Sequence, residues 1–523
     1  MLKNRAESYA PLRLISRQEY AEAHAIAIAD IQRDVRDARA YHALGRIAFE
    51  HGNFTKAEEL FAKAESYAPT VPLYVAERAK LASVQSDRDT ALTHVERALG
   101  LAPTSAQVLD MLGVVLSRAG YHGRAIELFE QAVAADSGPA NVHYNLAASL
   151  QFSGEFERAE AAYREALKRD PNLFRARSAL TSLRKQEEGA LPDLMAAWQR
   201  QSSDTDAKLH IGHGIAKVME DLGRYEESLD WLLRAKADKR AEFPVDAEAQ
   251  AEMFAMAAKV ASAPVARNAN VAAPIFVTGL PRTGTTLVDR ILSSHPDVTS
   301  AGELNLFADL VKREAATDGP HVLDGPTLEA VSDENLTRIG RDYVAAAQDL
   351  VRGLDPKATR FVDKMPLNIL YAGLIHRALP HARIVVLRRG AMDSCLSNFR
   401  QLFSTSLSYY NYTFDLEATA EFYRAFDDLV QAFADTLPSD RFLQIHYEDI
   451  VFDQEAQTRR LLEFCGLEWN ARTLDFHLNA APVSTASAVQ VRQPLYSGSI
   501  GRWKRYGDKL DGLRDALSDF TKN

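Results

Sequence analysis

Residues 274–292 read PIFVTGLPRTGTTLVDRIL. Ile275 to Thr278 are apolar or β-branched, the composition of a short buried strand. Gly279 and Gly284 bound a loop, and from Thr285 onward Leu287, Val288, Ile291 and Leu292 recur at helical spacing. Strand, glycine loop and helix make a phosphate cradle. The loop's backbone N–H groups converge on an anion, and the helix N-terminus adds partial positive charge. From Gly279 to Thr286 the spacing is G-x-x-x-x-G-T-T, with Thr285 where a nucleoside-triphosphatase loop carries lysine. The cation of this loop is Arg282. The pattern points to a phosphorylated ligand held without a conventional NTPase site. Its alternative is a tight strand–helix turn with no ligand.

The surrounding chain has 523 residues, room for two or three domains with their own cores. Hydrophobic residues at 46% and charged residues at 25% are ordinary for a soluble globular protein. A net charge of −10 argues against a general nucleic-acid binder. The two cysteines, Cys395 and Cys465, cannot form a disulfide framework and fit a reducing compartment. The opening residues lack an apolar signal region, and no run of eighteen apolar residues occurs. The expectation is a cytoplasmic protein with no membrane span.

Upstream of the loop the chain repeats. Gly45, Ala57, Phe61, Ala64 and Pro69 return as Ala79, Ala91, Val95, Ala98 and Pro103. They return again as Gly113, Ala125, Phe129, Ala132 and Ser137, then as Ala147, Ala159, Tyr163, Ala166 and Pro171. The period is 34 residues. Small residues let two helices approach, a larger one fills the gap, and proline ends the second helix. This resembles the tetratricopeptide repeat, with four units over about 38–171 and a helical cap over 18–37. A looser unit spans about 209–242. The reading divides the chain into a solenoid at 1–204, a further helical pair and linker at 205–262, and an α/β domain at 263–523. The sixth position of successive units, Ala43, Glu77, Met111 and Asn145, is expected to face the concave groove. The array is either a docking surface for a peptide or protein, or a scaffold that stacks and dimerises.

Downstream, Val298–Ser300, Arg360–Asp363, Arg383–Gly390 and Phe442–His446 read as strands alternating with helices. That order predicts an α/β domain with a mainly parallel sheet, whose ligands bind at the C-terminal strand ends. Arg282, Glu303, Lys364 and Arg389 all fall at or just after strand ends and so converge on one rim.

The motifs GLPRTGTTL, HPDVTSAGE, VDKMP, VVLRRGAMDSCLS, IHYED and STASAVQVRQPLYSGSIGRW stand in this order. Together they resemble bacterial tetratricopeptide-repeat sulfotransferases, and the catalytic half is similar to tyrosylprotein sulfotransferases. The resemblance covers about 263–510. It implies 3′-phosphoadenosine 5′-phosphosulfate as donor, with no metal. Its 5′-phosphosulfate would be held by Arg282, Thr283, Gly284, Thr285 and Thr286, and its 3′-phosphate by Arg389 and Ser397. The choice of Arg389 over Arg388 follows from spacing to Ser397 and Lys364. Arg400 is one position out of phase with a further family arginine and is left out. Tyr447 corresponds to the tyrosine lining the nucleotide site, Ser487–Tyr496 to a segment folding over it, and Arg502 to its closing cation.

The resemblance also assigns chemistry. Lys364 and Ser487 match transition-state stabilisers, and Arg282 is placed for the leaving-group oxygen. Glu303 matches the catalytic glutamate of tyrosylprotein sulfotransferases, set one residue later relative to the loop arginine. Asp363 stays open as an alternative base. The acceptor would be a hydroxyl on a protein tyrosine, a saccharide or a metabolite. Two other readings compete: an interaction scaffold whose nucleotide-binding domain is inactive, and a P-loop kinase or NTPase. Arg282, Lys364, Arg389 and Ser397 argue against the first, and Thr285 against the second.

Overall fold

The computed structural model describes residues 9–520, apart from 86, 137, 202, 264–272, 318–323, 406 and 484–488. The chain forms two compact units, Met1–Ala176 and Arg177–Asn523.

The first unit is helical. Helices Ala10–Ile15 and Tyr20–Arg33 precede four hairpins. These are Ala38–Glu50 with Phe54–Tyr67, Pro72–Val84 with Arg88–Gly100, Ala106–Arg118 with His122–Ala135, and Ala140–Ser153 with Phe156–Arg169. Local chemistry sets their starts. The Asn53 and Asp87 side chains cap the second helices of two hairpins by accepting from the Lys56 and Thr90 N–H groups. Pro72 occupies a first helical turn, where its missing N–H costs nothing. The 34-residue period is a packing period. A Cβ placed on Gly45 would come within 2.6 Å of the Phe61 ring, and one on Gly113 within 2.6 Å of Phe129. Overpacking there costs about 1–3 kcal/mol, against about 1 kcal/mol regained in helix propensity, so glycine is favoured.

Two of the four sixth positions are engaged by a neighbouring hairpin. Glu77 is 1% exposed, paired with His42 Nε2 at 3.0 Å and with Arg46 Nη1 at 3.2 Å. Burial alone would raise its carboxyl; His42 and Arg46 more than offset this and hold it at about 2. Asn145 donates to Asp110 Oδ1 at 2.9 Å. These side chains join neighbouring hairpins to each other, because a polar group buried between helices must find a partner.

In the second unit five strands form one wholly parallel sheet: β1 Ile275–Gly279, β2 Val298–Ser300, β3 Arg360–Lys364, β4 Arg383–Arg388 and β5 Phe442–His446. Their spatial order is β2-β3-β1-β4-β5. Every residue of β1 is buried, as a central parallel strand requires when helices cover both faces. Alternation along β1 sends Phe276 to one face, against Phe307 and Tyr343. Ile275 and Val277 go to the other, in a cluster with Leu287, Val288 and Ile291 of helix Thr285–Ser293.

Helices Thr205–Asp221, Tyr225–Glu242 and Ala247–Ala261, which the sequence sets apart from the sheet, pack within this same unit. Phe254 meets Phe422 edge-on at 5.1 Å, and a Cβ on Gly373 would fall 2.7 Å from the Ala261 backbone. Lys236 is 1% exposed and donates to the Thr413 carbonyl at 2.8 Å. Among the described residues no helix is long and apolar enough to cross a membrane.

Candidate active site

The glycine loop leaves β1 at the sheet's C-terminal edge. Gly279 has φ +142°, and a Cβ there would sit 2.7 Å from the Leu387 carbonyl on β4. Gly284, at φ +113°, would bring a Cβ within 2.8 Å of the Tyr447 ring. Both positions need glycine for backbone and space. Thr283 closes the loop on itself, its hydroxyl donating to the Leu280 carbonyl at 2.7 Å. Asn398 clamps it from outside by donating to the Pro281 carbonyl at 2.8 Å. Thr285 and Thr286 open the following helix and are buried.

Arg282 has left-handed backbone, φ +66°, and faces a cavity. Gly284, Thr286, Arg389, Ser397, Tyr447 and Arg502 line the same cavity, whereas Thr283 and Thr285 are not among its lining residues. Arg389 donates to the Arg282 carbonyl at 3.2 Å and the Ser499 carbonyl at 2.5 Å. Arg388 turns away, to Gln444 Oε1 at 3.0 Å and to Asp427. Tyr447 begins helix Tyr447–Phe452 rather than ending β5, and its hydroxyl meets Ser499 Oγ at 2.7 Å. Ser487 lies outside the described residues. Gln490, later in the same segment, accepts from Arg282 Nη2 at 3.4 Å.

Arg400 also lines the cavity, and the sequence reading left it out. A signal was available within helix Ala391–Phe399 and its C-cap. Asp393, Leu396, Ser397 and Arg400 stand at i, i+3, i+4 and i+7, one helical face, and all four line the cavity. Asp393 there accepts from the Gly501 and Trp503 N–H groups at 2.6 and 3.1 Å, fixing the segment that carries Arg502. Burial, then Arg400 and Arg389, push the Arg282 guanidinium down to about 10. A cavity with clustered guanidinium groups calls for an anion, and a planar fork suits phosphate or sulfate oxygens.

Beside the loop, along the same sheet edge, Lys364 ends β3. It is 1% exposed and hydrogen-bonds Glu303, whose side chain is 38% exposed. The Lys364 N–H donates to the Gly302 carbonyl at 2.9 Å, which ties the two segments together. Glu303 precedes the N-cap Asn305 of helix Leu306–Ala315, so it is not a first-turn glutamate. Asp363 points to the opposite face of β3. It accepts from the Tyr343 hydroxyl at 2.7 Å, is wholly buried, and burial pushes its carboxyl up to about 7. Tyr410 stacks on Phe403 at 4.3 Å. Burial, then the charge of Glu303, push the neighbouring Tyr409 phenol up to about 12.

Residues 274–471 match the sulfotransferase family. This domain belongs to that family. Residues 38–71, 77–140 and 116–183 match tetratricopeptide repeats, so a repeat array precedes the sulfotransferase domain. An uncharacterized protein of Aquifex aeolicus (strain VF5) is 30% identical over 319 residues, 60% of this chain and 41% of the relative. Protein-tyrosine sulfotransferase 1 of Danio rerio is 24% identical over 44% of this chain and 65% of its own length. Protein-tyrosine sulfotransferase A of Caenorhabditis elegans is 25% identical over 44% of this chain and 60% of its own length. The chain thus spans less than two thirds of each of these relatives.

Proposed function

We propose that the protein transfers a sulfuryl group from 3′-phosphoadenosine 5′-phosphosulfate to a hydroxyl acceptor. The observation that carries this reading is the meeting of the glycine loop, Arg389, Ser397 and Tyr447 in one cavity. The loop suits a phosphosulfate, the Arg389–Ser397 pair suits a second phosphate, and Tyr447 offers an aromatic wall to a base. In the transfer the acceptor oxygen forms a bond to sulfur while the bond from sulfur to the 5′-phosphate oxygen breaks. The hydroxyl proton goes to Glu303, and adenosine 3′,5′-bisphosphate departs. Charge spreads over the sulfuryl oxygens and the leaving phosphate, so fixed cations supply most of the acceleration. Arg282 and Lys364 take that role in this reading, and Ser487 is assigned to it by resemblance. The contact with Lys364 orients the Glu303 carboxylate until an acceptor hydroxyl takes the place of Lys364 beside it.

The acceptor class is a hydroxyl on a protein tyrosine, a saccharide or a metabolite. The names of the Danio and Caenorhabditis relatives favour the first. The repeats are proposed as the surface that docks a protein acceptor, and self-association is the other use they suit. Incubation with sulfur-labelled donor and fractionated cell extract, with chelator present, tests the whole reading. Label appearing in an acceptor fraction without magnesium supports it. Bisphosphate binding with no transfer to any fraction favours the inactive-scaffold reading instead.

A further inference from the structure

Two of the arginines lining the cavity, Arg400 and Arg502, share a partner that lies outside it. Glu220, on helix Thr205–Asp221, is 6% exposed. Its Oε2 accepts from Arg400 and its Oε1 from Arg502, so one carboxylate spans two guanidinium groups. Like charges in a partly desolvated pocket repel, and after burial the neighbouring guanidinium groups add to the lowering of Arg282. The helix pair bearing Glu220 is itself keyed to the arginine-bearing segments. Lys236 of helix Tyr225–Glu242 donates to the carbonyls of Gln401 and Thr413 and lies over the Phe399 ring at 4.9 Å. Lys509, seven residues after Arg502, pairs with Asp230 at 2.9 Å.

We infer that Glu220 is a positioning residue of the donor pocket: it holds the Arg400 and Arg502 guanidinium groups where an anionic ligand of this cavity needs them. The inference rests on the proposed donor reading. It gives the helix pair 205–242, which precedes the matched sulfotransferase residues, a part in donor recognition.

Charge and geometry make opposite predictions here. If Glu220 were only a counter-charge, Glu220→Gln would leave the pocket more positive and bind an anion more tightly. Glu220→Asp would then behave as the wild type. As a positioning residue it needs both its charge and its length. Glutamine turns an N–H₂ donor toward one guanidinium, and aspartate is a methylene too short to span both. Calorimetric titration of the full chain with adenosine 3′,5′-bisphosphate separates the cases. Both variants are expected to bind roughly 10-fold or more weakly, as loss of a charge-assisted contact predicts, with stoichiometry still near one. Damage to folding alone would lower the stoichiometry and leave the midpoint in place, which overturns the inference. So does wild-type or tighter affinity in Glu220→Gln. In an Arg400→Ala, Arg502→Ala background the Glu220→Gln effect should largely vanish, and an undiminished effect overturns action through the arginines. A wild-type chain that does not bind the bisphosphate overturns the donor reading itself, and this inference with it.

Discussion

The Arg389 guanidinium lies over the Tyr447 ring, 5.0 Å from its centroid, and both side chains reach Ser499. The pair joins β4, the start of the helix after β5 and the chain near residue 500 into one wall of the cavity. Tyr447→Phe removes only the hydrogen bond to Ser499, worth about 0.5–1.5 kcal/mol. Tyr447→Ala also removes the cation–π contact, about 0.5–2 kcal/mol, and the surface packed on Gly284. Bisphosphate affinity should therefore fall in the order wild type, Phe, Ala. Equal affinity in all three proteins would remove Tyr447 from the site.

Arg389→Ala should weaken the bisphosphate by about 1.5–3 kcal/mol, the range for a hydrogen bond to a charged group. It should weaken AMP much less, because AMP lacks the 3′-phosphate. Thermal shifts with the two nucleotides, before and after substitution, measure this. Equal losses for both would mean that Arg389 does not read the 3′ end.

Glu303→Gln keeps shape and removes the base. Turnover is expected to drop by about 10²–10⁴-fold with donor affinity nearly intact. Asp363, on the opposite face of β3, should matter far less to turnover. Full activity in Glu303→Gln with loss in Asp363→Asn would reverse the two roles.

Asp363 has its own signature in stability. Its carboxyl rises from 3.8 to about 7 because burial penalises the charged form. Between those values the folded chain keeps a proton that the unfolded chain releases, so stability falls as pH rises. Relative to Asp363→Asn, the wild type should lose on the order of a few kcal/mol from pH 4 to pH 7 and then level off. Denaturant curves for both proteins across that range would be parallel if Asp363 did not titrate this way.

Two truncations separate the repeats from the site. A chain beginning at Arg177 keeps Glu220 and Lys236 and should bind the bisphosphate as the full chain does. A chain beginning near residue 263 loses both and should bind it poorly or fail to fold. If the repeats dock the acceptor, the first truncation should lose activity on the natural acceptor but little on a small phenol or sugar. Full activity on the natural acceptor would leave self-association as their use.

The sequence discloses what is local. The glycine loop, the strand before it and the 34-residue period are each written within a few dozen residues, and the structure contains all three. Convergence of Arg282, Arg389 and Ser397 was readable because strand ends of a parallel sheet share an edge. Arg400 is one position out of the family phase, yet it lies on the helical face that begins at Asp393. Glu220 was beyond reach, since its partners lie 180 and 282 residues away. Position in a repeat does not disclose that Glu77 has polar partners, His42 and Arg46, on the neighbouring hairpin.

The hairpins up to Ala176 start at an unvarying interval of 34 residues, and in two of them a glycine packs on a phenylalanine ring. Length can therefore change here in whole periods, provided that the polar joints particular to some hairpins, such as Glu77 with His42 and Arg46, are kept or lost together. The helix pair at 205–242 has no such freedom. Its Glu220 and Lys236 are matched to single atoms near residues 400 and 502, so gain or loss of a unit there would break the match. Whole periods are the natural step of change on one side of Ala176, and single-atom matches set the spacing on the other.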